Sequence, residues 1–283
     1  MNRFIEKCIE IIFMLTALVC IVAVAVICFF LFKNGIPAIG EIGVSDFLFG
    51  MKWKPGNELF GILPMIIGSI LVTGLSVLLG VPIGILSAVF MVFYCKKGLY
   101  RILKPTVDLL AGTPSIVYGF FGLVVIVPIM QQLFGGGGKS VLTASVLLGI
   151  MILPTIISVT ESALRAVPNS YYEGALALGA SHESSIFKTV LPAARSGVMA
   201  GVILGVGRSV GETMAVSMVA GNQPVIPESL FKGVRTLTAN IVLEMGYAAD
   251  LHREALIATA VVLFMFILLI NLSFSIIKRR KVQ

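Results

Sequence analysis

Between Ile11 and Phe32 the chain runs for 22 residues without one charged side chain. Wound as a helix at about 1.5 Å per residue, such a run covers the ~30 Å hydrocarbon core of a bilayer. Backbone N–H and C=O groups in hydrocarbon must be satisfied within the segment, so this feature alone restricts the chain to helices at that depth. Apolar stretches of comparable length recur and predict six membrane helices, at about 11–32, 61–94, 106–134, 141–163, 196–220 and 255–277. The second holds 34 residues, about 50 Å of helix, too long for one straight span. Pro64 and Pro82 are expected to mark a bend or elbow in it.

Composition agrees. Hydrophobic residues make up 58%, charged residues only 12%, and the mean hydropathy is +1.03, whereas about a quarter of a soluble domain is charged. The expected class is an all-α integral membrane protein with no separate catalytic domain, surrounded by membrane lipid. Residues 1–58 would form an N-terminal transmembrane helix and an extracytoplasmic loop. Residues 59–283 would form the transmembrane domain, with a long cytoplasmic loop at 164–195. The first segment begins like a signal peptide, but its apolar run is long and no small-x-small cleavage site follows, so it is expected to stay as a helix. Cys8, Cys20, Cys28 and Cys95 show no CxxC spacing and read as free thiols.

The net charge of +7 does not imply nucleic acid, because the basic residues sit in short clusters at the ends of apolar segments. They set orientation instead. Of the 21 Lys and Arg residues, 13 fall in the N-terminus, the loops 95–107 and 164–195, and the tail; the opposite loops hold 7, and Arg208 lies within a span. Both termini are therefore expected to be cytoplasmic. Gly197, Gly201 and Gly205, and likewise Gly80 and Gly84, recur every four residues. Such rows permit close helix contact, either within the chain or at a dimer seam.

The loop at 164–195 is neither apolar enough to span nor polar enough to be a simple connector. Ser170 and Glu173 form an S-x-x-E pattern after Pro168, which predicts a capping box, and Gly179 ends the turn. A second short helix is expected from Ser181, giving a helix-turn-helix suited to a groove on a partner. Glu173, Ala175, Gly179, Leu191 and Pro192 resemble the EAA loop of ABC-importer permeases at its spacing. Gly174 and Thr189 depart from the Ala and Ile of that pattern. The resemblance implies that this loop is the coupling helix inserted into an ATPase subunit.

Arg208 and Glu212 are four apart in an otherwise apolar span. A charge at a helix centre costs about 2.5–3.5 kcal/mol on insertion scales, so such residues pair with each other or face a watery path. Both readings stand from spacing alone. In the second, Arg208 attracts an oxyanion through fixed donors that never deprotonate, Glu212 orients it, and Ser209 and Thr213 supply hydroxyls. Thr113, Ser115 and Tyr118 are further pore-lining candidates, although the same TPS pattern suits a capped, kinked helix. Asp108 is expected near a helix N-terminus, stabilised by the macrodipole. GGGGKS at 135–140 lacks the first glycine of a P-loop, since Leu133 stands there. No nucleotide site is expected in this chain. His182 and His252 fall on opposite sides of the membrane and form no joint metal site.

The string GRSVGETMAV at 207–216 resembles the phosphate ABC-transporter permeases of the PstC type, where Ser209 replaces the usual Ala. The resemblance extends through FGILPMIIGSI at 60–70, LLAGTPSIVYGFFGLVV at 109–125 and LLGIMILPTI at 147–156, and so over most of the chain. It implies a type I importer (MetI-like) permease fold in a bacterial cell membrane, importing inorganic phosphate. It further implies a PstA-type second permease, a PstB-type ATPase dimer that binds ATP and magnesium, and a PstS-type phosphate-binding protein outside. Arg208 and Glu212 occupy the positions that this family associates with phosphate passage. The competing readings are a permease for another oxyanion, such as sulfate or molybdate, and a gradient-driven transporter using the Arg208 and Glu212 pair.

Overall fold

The computed structural model describes residues 3–280; Lys281 of the basic tail lies outside them. Helix α1 runs Arg3–Ile42 and is followed by a short α2, Val44–Phe49. A small hairpin pairs β1 (Trp53–Lys54) with β2 (Leu59–Phe60). Helix α3 spans Leu63–Val89 and closes on a π turn at Phe90–Tyr94. After α4 (Lys97–Gly112) come α5 (Ser115–Phe121), a π turn at Gly122–Ile126 and α6 (Val127–Phe134). Helix α7 covers Val141–Arg165; α8 is Asn169–Ala177 and α9 His182–Ser185. A π turn at Ile186–Val190 and α10 (Leu191–Ala193) then lead into α11, Arg195–Gly211. The chain ends with α12 (Met214–Val219), α13 (Leu237–Glu244) and α14 (Asp250–Arg280).

Five stretches are each long and apolar enough to span a membrane: Glu6–Ile42, Leu63–Tyr94, Ser115–Phe134, Val141–Arg165 and Asp250–Ser273. The segments His182–Ala193 and Arg195–Gly211, which meet at 72°, make a sixth when counted together as one bent span, in keeping with the six-span reading. Three boundaries differ from expectation. Pro64 sits in the first turn of α3, where a missing N–H costs nothing, and Pro82 lies inside a helix that continues past it, so neither breaks the helix. The third segment is not one helix from 106. It breaks at Thr113–Pro114, where the residue before proline turns extended. The fifth breaks after Gly211, and Glu212 has β-region dihedrals.

Helix α7 is the axis of the packing and the most buried span. Its Ile152 and Ile156 enter notches made by glycines on both neighbours. A Cβ at Gly80 or Gly84 of α3 would stand 2.8 Å from Ile152 Cδ1 or 2.7 Å from Ile156 Cγ2. On α11 a Cβ at Gly205 would stand 3.0 Å from Ile156 Cγ1, and one at Gly197 2.3 Å from Ala163 Cβ. Both glycine rows thus serve close packing within the chain.

A second cluster joins the N-terminal third to the C-terminal helices. Ala38, Phe47, Trp53, Phe60 and Ile62 pack with Leu237, Ala255, Leu256 and Ala258. At its polar edge the Trp53 indole donates to Glu244 at 2.8 Å, His252 Nε2 lies 2.9 Å from the same carboxylate, and Arg235 donates to its other oxygen. Arg235 also donates to the Asn222 carbonyl and Asn240 Oδ1, each at 3.0 Å. This latch clips the hairpin to α13 and α14.

Candidate functional site

Three i, i+4 rows run along α11, and each meets something different. Gly197, Gly201 and Gly205 press on α7. Val202, Val206 and Val210 pack with Val77, Val81 and Ile85 of α3 and with Leu263, Phe266 and Ile267 of α14. The third row, Leu204 and Arg208, is left uncovered by the rest of the chain: Leu204 is 55% exposed and Arg208 half-buried. Arg208 reaches Thr155 Oγ1 of α7 at 3.4 Å and lies within electrostatic reach of Tyr118 on α5.

The expected pairing of Arg208 with Glu212 does not form. The spacing argument assumed a continuous helix, but α11 stops at Gly211 and turns the Glu212 side chain away. Its Oε1 accepts from the Ala215 N–H at 3.0 Å, capping the first turn of α12, and its carbonyl accepts from Thr238 Oγ1 at 3.1 Å. Glu212 is thus buried and held by one backbone N–H and one threonine hydroxyl. Among the described residues, no carboxylate lies within ion-pair distance of the Arg208 guanidinium. Arg208 stands in the last turn of α11, where the C-terminal end of the helix dipole favours a cation.

The neighbouring hydroxyls divide. Ser209 Oγ is buried and lies 2.7 Å from Ser76 Oγ of α3, facing the packing side rather than the Arg208 row. Thr213 Oγ1 donates to the Gly211 carbonyl at 3.1 Å and Thr113 Oγ1 to the Leu109 carbonyl at 3.1 Å, satisfying carbonyls freed by the two helix breaks. Tyr118 donates to the Leu110 carbonyl at 2.8 Å across the Thr113–Pro114 break. Ser115 opens α5 behind Pro114 without a capping hydrogen bond from its side chain. Thr155, which touches Arg208, carried no signal in the sequence, because a lone threonine in an apolar span reads as filler.

In the loop between α7 and α11, α8 and α9 form the predicted helix-turn-helix. The capping box does not form: Pro168 holds the N-cap position, no side chain caps α8, and Ser170 sits inside the helix. Glu173 is exposed there. The far end follows expectation. Gly179 adopts φ +86°, its N–H bonds the Leu176 carbonyl at 2.9 Å, and Ala180 N–H reaches the Ala175 carbonyl at 3.0 Å. Ser181 caps α9 by accepting from Ser184 N–H at 3.2 Å. The two arms are joined by Tyr172 Oη and His182 Nδ1 at 2.6 Å. Leu178 is 91% exposed at the tip, flanked by Gly174 and Ala175, while Leu191 and Pro192 lie on the return toward α11. A cavity of about 480 Å³ opens beside the root of α8, lined by Phe93, Arg165, Asn169, Tyr172 and Glu173 among others.

Asp108 also departs from expectation. It lies toward the C-terminal end of α4, not at a helix start, and pairs with Lys104 at 3.0 Å. Lys104 reaches on to Glu161 of α7, a buried carboxylate that sequence reasoning passed over.

Residues 80–283 match the family model described as the binding-protein-dependent transport system inner membrane component. Over 277 residues the chain is 41% identical to the probable ABC transporter permease protein YqgH of Bacillus subtilis (strain 168), covering 94% of this chain and 89% of that one. Over 261 residues it is 37% identical to the phosphate transport system permease protein PstC of Mesorhizobium japonicum, covering 85% and 80%. Among solved structures it is similar to an inward-facing MetNI methionine ABC transporter, with a TM-score of 0.65 and 20% identity over 81% of this chain and 99% of that one. A bacterial ABC transporter involved in import of the acidic polysaccharide alginate gives 0.64 and 15% identity over 99% and 100%. These two likenesses establish the fold.

Proposed function

The chain belongs to the binding-protein-dependent transport system inner membrane components, and from that premise we propose that it is a permease subunit carrying inorganic phosphate into the cell. The single observation behind the choice of an oxyanion is Arg208, a guanidinium held in a span with its expected carboxylate partner turned away. In a low-dielectric wall such a charge attracts an anion and offers it several N–H donors in fixed geometry. Thr155 Oγ1 accepts from the guanidinium at 3.4 Å and would shape the same wall. Relatives that match over most of the chain bear the name of phosphate permeases, which selects phosphate among oxyanions.

The uncovered row containing Arg208 would face a second permease, PstA-like, across a shared path. The exposed tip around Leu178, with Glu173, Gly174, Ala175 and Gly179, would dock on an ATPase dimer that binds ATP and magnesium. A phosphate-binding protein would deliver substrate outside. The chain itself is read as a pore subunit, with hydrolysis performed by the partner.

The test is ATP-dependent uptake of labelled phosphate in proteoliposomes holding the full complex, with wild type and Arg208→Gln compared. Uptake is expected to fall at least tenfold while assembly and basal ATP hydrolysis persist. Near-normal uptake by the variant would remove Arg208 from the path. Equal competition by sulfate or molybdate would remove phosphate as the preferred substrate.

A further inference from the structure

Glu161 lies in α7 close to its C-terminal end and is 3% exposed. Its Oε1 accepts from the Tyr100 hydroxyl and from Arg165 Nε at 2.9 Å, and Lys104 Nζ lies 3.4 Å from its Oε2. Lys104 also meets Asp108 at 3.0 Å, and the Arg165 guanidinium stands 5.0 Å from the centre of the Tyr100 ring. One buried carboxylate therefore gathers donors from two helices into a group of two cations and two anions. An apolar contact of equal volume would join α4 to α7 at least as stably, since buried ion pairs add little net stability. What the ionic arrangement adds is a fixed register between the helices, because directional hydrogen bonds do not slide as methyl groups do.

The position of this clamp matters. On α7, Thr155 touches Arg208, Glu161 holds α4 about 9 Å farther along the axis, and Arg165 then leads through Pro168 into α8. From the clamp, α4 runs to the Thr113–Pro114 break and into α5, which carries Tyr118 within electrostatic reach of Arg208. The root of the α8–α9 hairpin is thus tied to both walls around the arginine. We infer that Glu161 is a positioning residue for energy coupling: its carboxylate locks α4 to α7 so that displacement of the α8–α9 hairpin reaches α5 and the surroundings of Arg208 as one movement. The inference rests on the ATP-driven phosphate transport proposed above. Without the lock, the hairpin moves while α4 lags, and hydrolysis proceeds without delivery.

The experiment measures phosphate taken up per ATP hydrolysed by the reconstituted complex, for wild type, Glu161→Gln and Tyr100→Phe. Glu161→Gln is expected to lower that ratio at least fivefold with hydrolysis within twofold of wild type. Tyr100→Phe, which keeps the ring and removes one donor, is expected to lower it about twofold, and it decides the matter if the glutamine variant fails to assemble. Unchanged ratios, or uptake and hydrolysis falling by the same factor, would overturn the inference. A wild-type complex that hydrolyses ATP but takes up no phosphate would count against the proposed substrate instead. In that event spin labels at Ile102 on α4 and Ser170 on α8 still test the lock. Their separation should stay narrowly distributed through the ATP cycle in wild type and broaden in Glu161→Gln, and identical distributions would overturn it.

Discussion

Replacing Glu244 by Gln strikes the latch between the hairpin and α13 and α14 at its centre while keeping side-chain volume. The carboxylate is 8% exposed and accepts from Trp53, Arg235 and His252, whose geometry presents donors to both oxygens. An amide offers one acceptor oxygen and turns an NH2 toward the other donors, so two contacts cannot both survive. Breaking a buried ion pair from one side costs about 3–5 kcal/mol. Arg235 keeps its bonds to the Asn222 carbonyl and Asn240, and it is 15% exposed, which places the effect near the lower end, at about 3 kcal/mol. That corresponds to a population of the locally opened hairpin raised about a hundredfold. The assay is built into the chain, because Trp53 is its one tryptophan. Purified in detergent and followed by intrinsic fluorescence, the variant should show a red-shifted emission and an earlier thermal transition than wild type. The same emission maximum and the same midpoint would mean that Glu244 contributes nothing beyond packing, and the reasoning from buried charge would fail.

Two further outcomes are expected. Gly80→Ala places a methyl 2.8 Å from Ile152 and 2.9 Å from the Gly149 carbonyl, an atom that cannot swing aside; overpacking should cost about 1–3 kcal/mol, read as a lower midpoint of thermal unfolding in detergent. Ser209→Ala should leave phosphate uptake within twofold of wild type and cost under about 1 kcal/mol, because Ser76 retains its bond to the Thr73 carbonyl; a large loss of uptake would return Ser209 to the path.

The spans were legible because hydrocarbon imposes a length and a composition that few residues can disguise. The interruptions were less so. Pro114 announces one break, but Glu212 and Thr213 carry no helix-breaking signal, and the continuous fifth helix assumed from apolar spacing put Arg208 and Glu212 on one face. Arg208 itself was found for a physical reason, the cost of a charge in a span, whereas the partner it meets, Thr155, comes from 53 residues away. The latch joins Trp53 to Glu244 across 191 residues and the clamp joins Tyr100 to Glu161 across 61. Pairings at such separations leave no periodic trace in a single sequence. Glu161 was passed over, because a carboxylate near the end of an apolar helix is unremarkable until its burial is known.

The glycine sockets around α7 have a mechanical consequence. Ile156 is a peg seated between Gly84 on one side and Gly205 on the other, and Ile152 is seated against Gly80. Sliding any of these three helices along the others by a fraction of a turn would drive a branched side chain into backbone, so α3, α7 and α11 are keyed to one another as a block that resists sliding. The helices are interrupted elsewhere, at residues 113–114 and 211–213 among other places. The second of these joints lies one turn beyond Arg208, so the positive charge stands where the keyed block gives way to a break in its own helix.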